Sequence, residues 1–313
     1  MIEIKRYSSD VKGIWDNFIK SSRNGSFLFY RDYMDYHSDR FNDSSYLFYK
    51  KTKLIAVLPG NINDQKFYSH QGLTYGGLVQ DKKTTAADVL NSFDALKSEL
   101  LRNKIIELIY KPIPIIFHKI PSQEDIYALF KNNAVKIGCN ISSTIYQKNK
   151  IRFSRLRRSG IRKSQRNHVI VEESEDFESF WKILSENLSH KYGVNPVHSL
   201  KEIKLLKSKF PDNIKLFVSR FEDQIVSGTV VYVYDNIIRA QYASANEIGK
   251  KIGSLDFMFD YLINNRYKDI PVFDFGQSTE EMGNYLNLNL IFPKEGFGGR
   301  GIVYDIYKMR LGK

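Results

Sequence analysis

The feature that most constrains this chain is that one order of segments is written twice. In the first half, Val11, Ile14, Trp15 and Phe18 recur three and four residues apart, the apolar stripe of an amphipathic helix. A second helical stretch spans Phe29–Arg40. Three short strand-like runs follow, Ser45–Lys50, Leu54–Gly60 and Lys66–Gly72, broken by turn residues at Lys51–Lys53 and Asn63-Asp64. Thr85 and Asp88 have the spacing of a capping box, Val89, Phe93, Leu96 and Leu100 stripe the helix behind it, and Ile105–Tyr110 reads as a strand.

The second half repeats the order. Phe177, Phe180, Trp181, Leu184 and Leu188 mark a helix that stops before Gly193. Ser199 and Glu202 form a second capping box, for a helix running to Lys209. Strands are expected at Ile214–Phe221, Ile225–Tyr234 and Ile237–Ala245, with polar turns at Glu222-Asp223 and Asp235-Asn236. A helix carrying Leu255, Phe259 and Leu262 and a strand at Val272–Phe275 close the repeat. Repetition at this length predicts two similar domains, residues 1–149 and 150–313, rather than a solenoid of short units. The fold class is α/β with α+β mixed sheets, each domain a mainly antiparallel mixed sheet flanked by helices.

Lys and Arg number 47 against 35 Asp and Glu, a net charge of +12. Such an excess favours an anionic partner, and serves solubility as well. The lone cysteine, Cys139, excludes an internal disulfide framework; in IGCNIS it reads as an inert core thiol. His190 and His198 are too few for a zinc site. No run approaches a membrane span and the first residues lack a signal-peptide apolar region, so the expectation is a cytoplasmic protein without a transmembrane segment. Oligomeric state is not readable.

A three-strand meander, a helix and a parallel strand, doubled, resemble the tandem-GNAT and FemABX-like acyltransferases. Two stretches carry the resemblance, SHQGLTYGGL (Ser69–Leu78) and FDFGQSTEEMGNYLNLNLIFPKEGFGGRGIVYDIY (Phe273–Tyr307). It covers essentially the whole chain. It implies an enzyme that moves an acyl group from acyl-CoA, a co-substrate rather than a bound cofactor, to an amine of a nucleotide-linked amino sugar or another phosphate-bearing cell-envelope precursor. A FemABX-type ligase drawing on aminoacyl-tRNA to extend a peptidoglycan peptide is the alternative, and a non-catalytic protein binding an anionic ligand the third. The resemblance places the acceptor on the first domain and the donor on the second. Where GNAT enzymes carry a pyrophosphate loop this chain has NEIGKKIGSL, with Gly249 and Gly253 at a different spacing.

The candidate site residues follow. Gly249, Lys250, Lys251, Gly253 and Ser254 read as a donor-phosphate cradle, glycines admitting the anion and a helix N-terminus facing it, or as a strand-to-helix turn with solvated lysines. Arg155, Arg158, Arg162 and Arg166 share one helix face; Arg158 and Arg162 are assigned to an acceptor diphosphate or RNA, the plain alternative being an exposed linker. His70, Thr74 and Tyr75 are expected to line an acceptor cleft, His70 as a proton acceptor, with Tyr192 beside them. Asp274, at the end of a strand, is a candidate base and Glu295 its rival. The resemblance gives Lys294 the role of stabilising developing charge; a structural ion pair is the alternative for Asp274 and Lys294. Gln277 and Asn287 suit sugar hydroxyls or amides.

Overall fold

The computed structural model describes residues 2–312, the side chain of Tyr192 excepted. The chain divides into two compact units. Unit 1 holds the chain up to Ile141, Thr279–Tyr285 and the chain from Val303 on; unit 2 holds Ser142–Ser278 and Leu286–Ile302. The division thus falls earlier than the expected cut after Asn149, and the C-terminal strand belongs to the first unit.

Unit 1 opens with β1 (Ile2–Arg6), α1 (Lys12–Ser21) and the four-residue α2 (Arg31–Met34). It continues through β2 (Tyr46–Lys50), β3 (Lys53–Leu58), β4 (Asn61–Asn63), β5 (Lys66–Tyr68) and β6 (Val79–Gln80). Then come α3 (Ala86–Arg102), β7 (Glu107–Tyr110), α4 (Glu124–Lys131) and the long β8 (Val135–Tyr146), whose first residues belong here. β1, β2, β3 and β6 form one antiparallel sheet. In the other, β4 pairs with β5 and β5 runs parallel to β7.

Unit 2 repeats the order with α5 (Arg155–Arg166), β9 (Ile170–Ser174), α6 (Phe177–Tyr192) and α7 (Leu200–Lys209). β10 (Ile214–Phe221), β11 (Gln224–Val233) and β12 (Ile237–Ala245) make the antiparallel meander. The short α8 (Glu247–Ile252), α9 (Ser254–Tyr261) and β13 (Val272–Gln277) follow. Two short strands, β14 (Thr279–Glu280) and β15 (Tyr285–Leu286), precede α10 (Leu288–Gly296) and β16 (Arg300–Arg310). The end of β16, Tyr307–Arg310, pairs antiparallel with β7, which is why the C-terminus belongs to unit 1.

Local chemistry sets these boundaries. Both capping boxes form: Thr85 Oγ1 accepts from the Asp88 N–H at 3.3 Å, and Ser199 Oγ from the Glu202 N–H at 3.2 Å, each acid returning the bond to the cap residue. Gly193 ends α6 in the left-handed conformation, at φ 65°. Each unit has its own apolar core. Phe48, Phe67, Phe93 and Leu100 are fully enclosed in the first, Phe217, Met258 and Leu262 in the second. Each such side chain stabilises the fold by about 1.5–3 kcal/mol.

Four sequence expectations change. The stretch Phe29–Arg40 is broken, because the buried Arg31 is held by Asp35 and Asp43, each at 2.6 Å, and its N–H by Asp16 at 2.9 Å. These bonds fix α2 as a single turn between two 3-10 turns, Phe27–Phe29 and Asp35–His37. The third strand of unit 1 stops at Tyr68, since His70 takes φ 61°. Residues 247–252 are helix rather than loop. Cys139 is exposed on β8 rather than set in the core, and partial desolvation together with the neighbouring Asp305 raises its thiol pKa.

Candidate active site

Unit 2 contains a place where two parallel strands part. β12 and β13 pair over Ile237–Arg239 and Val272–Asp274 only. Beyond Asp274, β13 bulges against β8 and Gly276 turns to φ 77°, a conformation open to glycine. β12 runs on to Ala245, bonded to β11 alone among its described pairings. A strand edge facing such an opening offers backbone N–H and C=O groups to a ligand laid along it.

Lys294 anchors the far side of the opening. From the last turn of α10 its ammonium donates to the Gly276 carbonyl at 2.9 Å, the Gln277 carbonyl at 2.8 Å and Ser278 Oγ at 2.8 Å. Burial brings its pKa down to about 8; the nearby Asp274 works against that shift and Arg239 adds to it. Asn287 caps α10, accepting from the Leu290 N–H at 3.3 Å, and its own N–H donates to the Ser278 carbonyl at 2.9 Å. Residues 276–278 are therefore held by both ends of one helix. Gln277 contributes its backbone carbonyl here, and Glu295 lies exposed on the same last turn.

Asp274 sits at the closed end. It has no exposed surface, accepts from Ser142 Oγ at 2.5 Å and Thr144 Oγ1 at 3.0 Å, and faces Arg239 at 3.6 Å. The expected base is thus an enclosed anchor. Its cation is Arg239 rather than Lys294, a partner that the sequence reading missed because Arg239 lies inside an apolar strand.

The expected phosphate cradle has a different construction. Asn246 caps α8 and takes the Gly249 N–H at 2.9 Å, while its own N–H bonds the Val226 carbonyl at 3.0 Å. A Cβ on Gly249 would lie 2.3 Å from the Val226 carbonyl oxygen; one on Gly253 would lie 2.8 Å from that of Gly160. These glycines therefore admit β11 and α5, and Gly253, at φ 77°, opens α9. Ser254 is buried behind it. The Gly160 backbone lies close against Gly253, and Ser164 Oγ donates to the Ile252 carbonyl at 2.9 Å. Gly160 and Ser164, four apart, are the small face that lets α5 dock.

Four of the expected cradle residues, Gly249, Lys250, Lys251 and Gly253, nevertheless line one cavity of about 420 Å³, to which α5 adds Arg157 and Lys163. Arg157 is paired with Asp256 at 2.6 Å and Lys250 with Glu247 at 2.7 Å. Burial raises the Asp256 pKa, against the pull of Arg157. Lys163 and Lys251 have no acid partner among the described residues. On the other flank of α5 a cavity of about 480 Å³ is lined by Lys150, Arg152, Arg158 and Arg162 around Phe153 and Ile161. Arg158 gives only its Nε–H to a protein group, the Phe153 carbonyl at 3.1 Å. The expected Arg158–Arg162 pairing in one place is thus present, on a helix packed into unit 2 and not on a free linker.

Unit 1 has the same parallel pair, β5 and β7, but the glycine-rich loop folds back over its end. The Ser69 N–H bonds the Ile109 carbonyl at 2.9 Å, Ser69 Oγ accepts from the Lys111 N–H at 2.7 Å, and the Gly76 N–H bonds the Lys111 carbonyl at 3.0 Å. The Leu78 N–H donates to the Tyr110 hydroxyl at 2.6 Å. A Cβ on Gly76 would lie 1.8 Å from the Ser69 carbonyl oxygen, so the loop closes only with glycine there. Tyr75 is buried against Phe117 with ring centres 4.6 Å apart, and Thr74 is half-buried. His70 is enclosed and stacked 5.1 Å from His37, and burial holds its pKa well below the usual histidine value. Lys111, inside the same loop, is brought by burial to about 8. The cleft expected from His70, Thr74 and Tyr75 is a packed plug. Tyr192 ends α6, and its side chain lies outside the described residues. His198 is buried, its ring bonded to the Tyr242 hydroxyl at 2.5 Å.

No family model and no curated protein matches the sequence. Solved structures do match the fold. A structure of FemX superposes with a TM-score of 0.67 at 10% identity, over 97% of this chain and 96% of its own. L-PGS from Bacillus licheniformis gives 0.62 at 12% identity, over 99% and 94%. A tandem GNAT protein from the clavulanic acid biosynthesis pathway gives 0.52 at 8% identity, over 100% and 99%. The chain has the FemABX-like, tandem-GNAT fold, as the segment order led one to expect.

Proposed function

We propose that the protein is an N-acyltransferase that joins an activated acyl group to an amine, with the donor on unit 2. The opening between β12 and β13 carries this reading. It offers an unpaired strand edge at one side and a buried ammonium, Lys294, at the other. A carbonyl carbon laid in the opening is attacked by the amine nitrogen. The carbon–nitrogen bond forms, the ester or thioester bond breaks, and the nitrogen loses a proton. Lys294 lends positive charge to the oxyanion while keeping β13 in its bulged shape. In this reading the exposed Glu295 takes the proton and the enclosed Asp274 serves the frame. The fold likeness to FemX and to a tandem GNAT protein supports the class.

Between donors, the spread of cations over both flanks of α5 favours an extended polyanion over a compact diphosphate. Cations without an acid partner among the described residues lie along both flanks of α5, Lys163 and Lys251 on one side and Arg158 and Arg162 on the other. An aminoacyl-tRNA donor fits that distribution. The acyl-CoA reading, with a nucleotide-linked amino sugar as acceptor, draws on one observation, the compact cavity holding Lys163 and Lys251. The acceptor in either case is an amine on a phosphate-bearing envelope precursor.

A thermal-shift titration with acyl-CoAs and, in parallel, charged tRNA separates them. A ligand at about 100 times its Kd stabilises the native state by about 2.7 kcal/mol. A shift with tRNA that vanishes at high salt supports the ligase. A saturable shift with an acyl-CoA alone supports the acetyltransferase-like enzyme. No shift with either donor class removes the proposal.

A further inference from the structure

One end of unit 1 combines bare apolar side chains with unpaired cations. In the last turn of α4, Phe130 is 75% exposed, and Tyr127, one turn earlier on the same face, is 51% exposed. The chain then turns through Asn132 and Asn133 to Val135, 53% exposed at the start of β8. A groove of about 790 Å³ opens beside them, where Leu101 of α3, Val135 and Leu311 supply the apolar lining and Lys97, Lys308 and Arg310 the charge. None of these three cations, nor Lys104 and Lys131 nearby, has an acid partner among the described residues. Three acids of the same elements are already engaged: Glu99 with Arg102 at 2.8 Å, Glu107 with Lys66 at 3.4 Å, Asp305 with Lys136 at 2.9 Å.

We propose that this end of unit 1 docks on the surface of an anionic phospholipid bilayer, with a lipid phosphate in the groove between Lys97, Lys308 and Arg310. Charge complementarity selects the occupant: cations without acids call for an anion. The aliphatic groups decide which anion. The exposed Leu101 and Val135 gain nothing from a sugar–phosphate backbone, but together with Phe130 and Tyr127 they match the boundary between head groups and acyl chains. Each Lys or Arg near such a surface adds to the attraction, which fades within a Debye length. Among the described residues no helix is long and apolar enough to cross a membrane, so the contact is peripheral. It would place the chain at the surface that carries lipid-linked precursors. The surface is argued independently of the transfer reaction, and its test needs no turnover.

The experiment is co-sedimentation of the full chain with vesicles of phosphatidylcholine alone and of phosphatidylcholine with one-quarter phosphatidylglycerol. Binding is expected only to the second, at low ionic strength. Phe130→Ser and the triple charge reversal Lys97→Glu/Lys308→Glu/Arg310→Glu should each weaken it by about tenfold or more, as loss of one apolar anchor or several surface charges implies. The altered side chains are at the surface, so unchanged unfolding curves confirm folded variants. Equal binding to both vesicles, no binding to either, or binding indifferent to Phe130→Ser overturns the proposal. Displacement by millimolar inorganic phosphate would overturn it too, by assigning the groove to free phosphate. A vesicle-independent dimer lost in Phe130→Ser would assign the face to a second copy of the chain.

Discussion

Arg239 and Asp274 face each other at 3.6 Å as the last paired residues of β12 and β13, and beyond them the strands part. Both are buried, and Ser142 and Thr144 complete the carboxylate's shell. The pair closes the inner end of the opening. Removing one partner of a buried pair costs about 3–5 kcal/mol, because the remaining charge keeps its desolvation penalty. Asp274→Asn should therefore lower the urea midpoint strongly. A variant with unchanged stability and lost turnover would restore Asp274 as a base.

Lys294 predicts a pH dependence. Its pKa falls from 10.5 to about 8 on folding, through burial. Between those values the unfolded chain binds the proton and the native one does not, so stability rises with pH across that window. Below about pH 8 the native ammonium is charged and the burial penalty is present in full. Lys294→Met should reduce that rise in a comparison of unfolding free energies from pH 7.5 to 10, leaving the share that comes from Lys111, which burial also brings to about 8. If the ammonium itself stabilises the oxyanion, wild-type kcat should fall as pH passes 8. A wild-type stability curve flat over the whole range would sink the assignment.

Gly160 and Gly253 make a second kind of test. A Cβ on Gly160 would lie 1.8 Å from Asp256 Oδ2 and 2.7 Å from its Cγ. Gly160→Ala should displace Asp256 from Arg157 and push α5 away from α9, costing about 1–3 kcal/mol as overpacking does. Gly13, in α1, has open space around it, so Gly13→Ala should instead stabilise by about 0.5 kcal/mol through helix propensity. Equal effects of the two substitutions would mean that α5 does not depend on that contact. If α5 presents cations to the donor, Gly160→Ala should also reduce the salt dependence of tRNA binding.

The repeat was legible because its helices and meander strands carry strong periodicity and two capping boxes. What escaped has a common physical cause. β1 (IEIKR) and β9 (IVEES) are short and mostly exposed, so their alternation carries few apolar residues. The C-terminal strand's return to unit 1 is fixed by pairing with β7, a contact across the whole chain that no local pattern encodes. At the site, Lys294, Gln277, Asn287 and the opening after Asp274 are brought together as the second signature suggests. The glycines at 249 and 253 left two readings open for one reason. Glycine reports that something approaches the backbone closely, but the sequence does not say whether that is a phosphate or another strand. For Gly249, Gly253 and Gly76 it is protein.

The stacked pair His37 and His70 makes unit 1 sensitive to acid. Burial lowers the pKa of both, His70 well below 6.5, and each histidine beside the other adds to the effect for His70. Both are neutral in the native state near pH 7. As pH falls through the unfolded value of about 6.5 the unfolded chain takes up protons that the native core refuses, so stability drops. His37→Phe keeps a ring beside Tyr36, whose centre lies 4.3 Å from that of His37, and removes one titrating group. Its unfolding free energy should fall less steeply between pH 7 and 5 than that of the wild type. His70→Asn, chosen because asparagine tolerates φ 61°, should flatten the same region further while losing the stacking. Identical slopes for the wild type and both variants would show that the acid sensitivity of the fold lies elsewhere. The plug would then owe its stability to its backbone bonds, Ser69 to Ile109 and Gly76 to Lys111, which do not titrate.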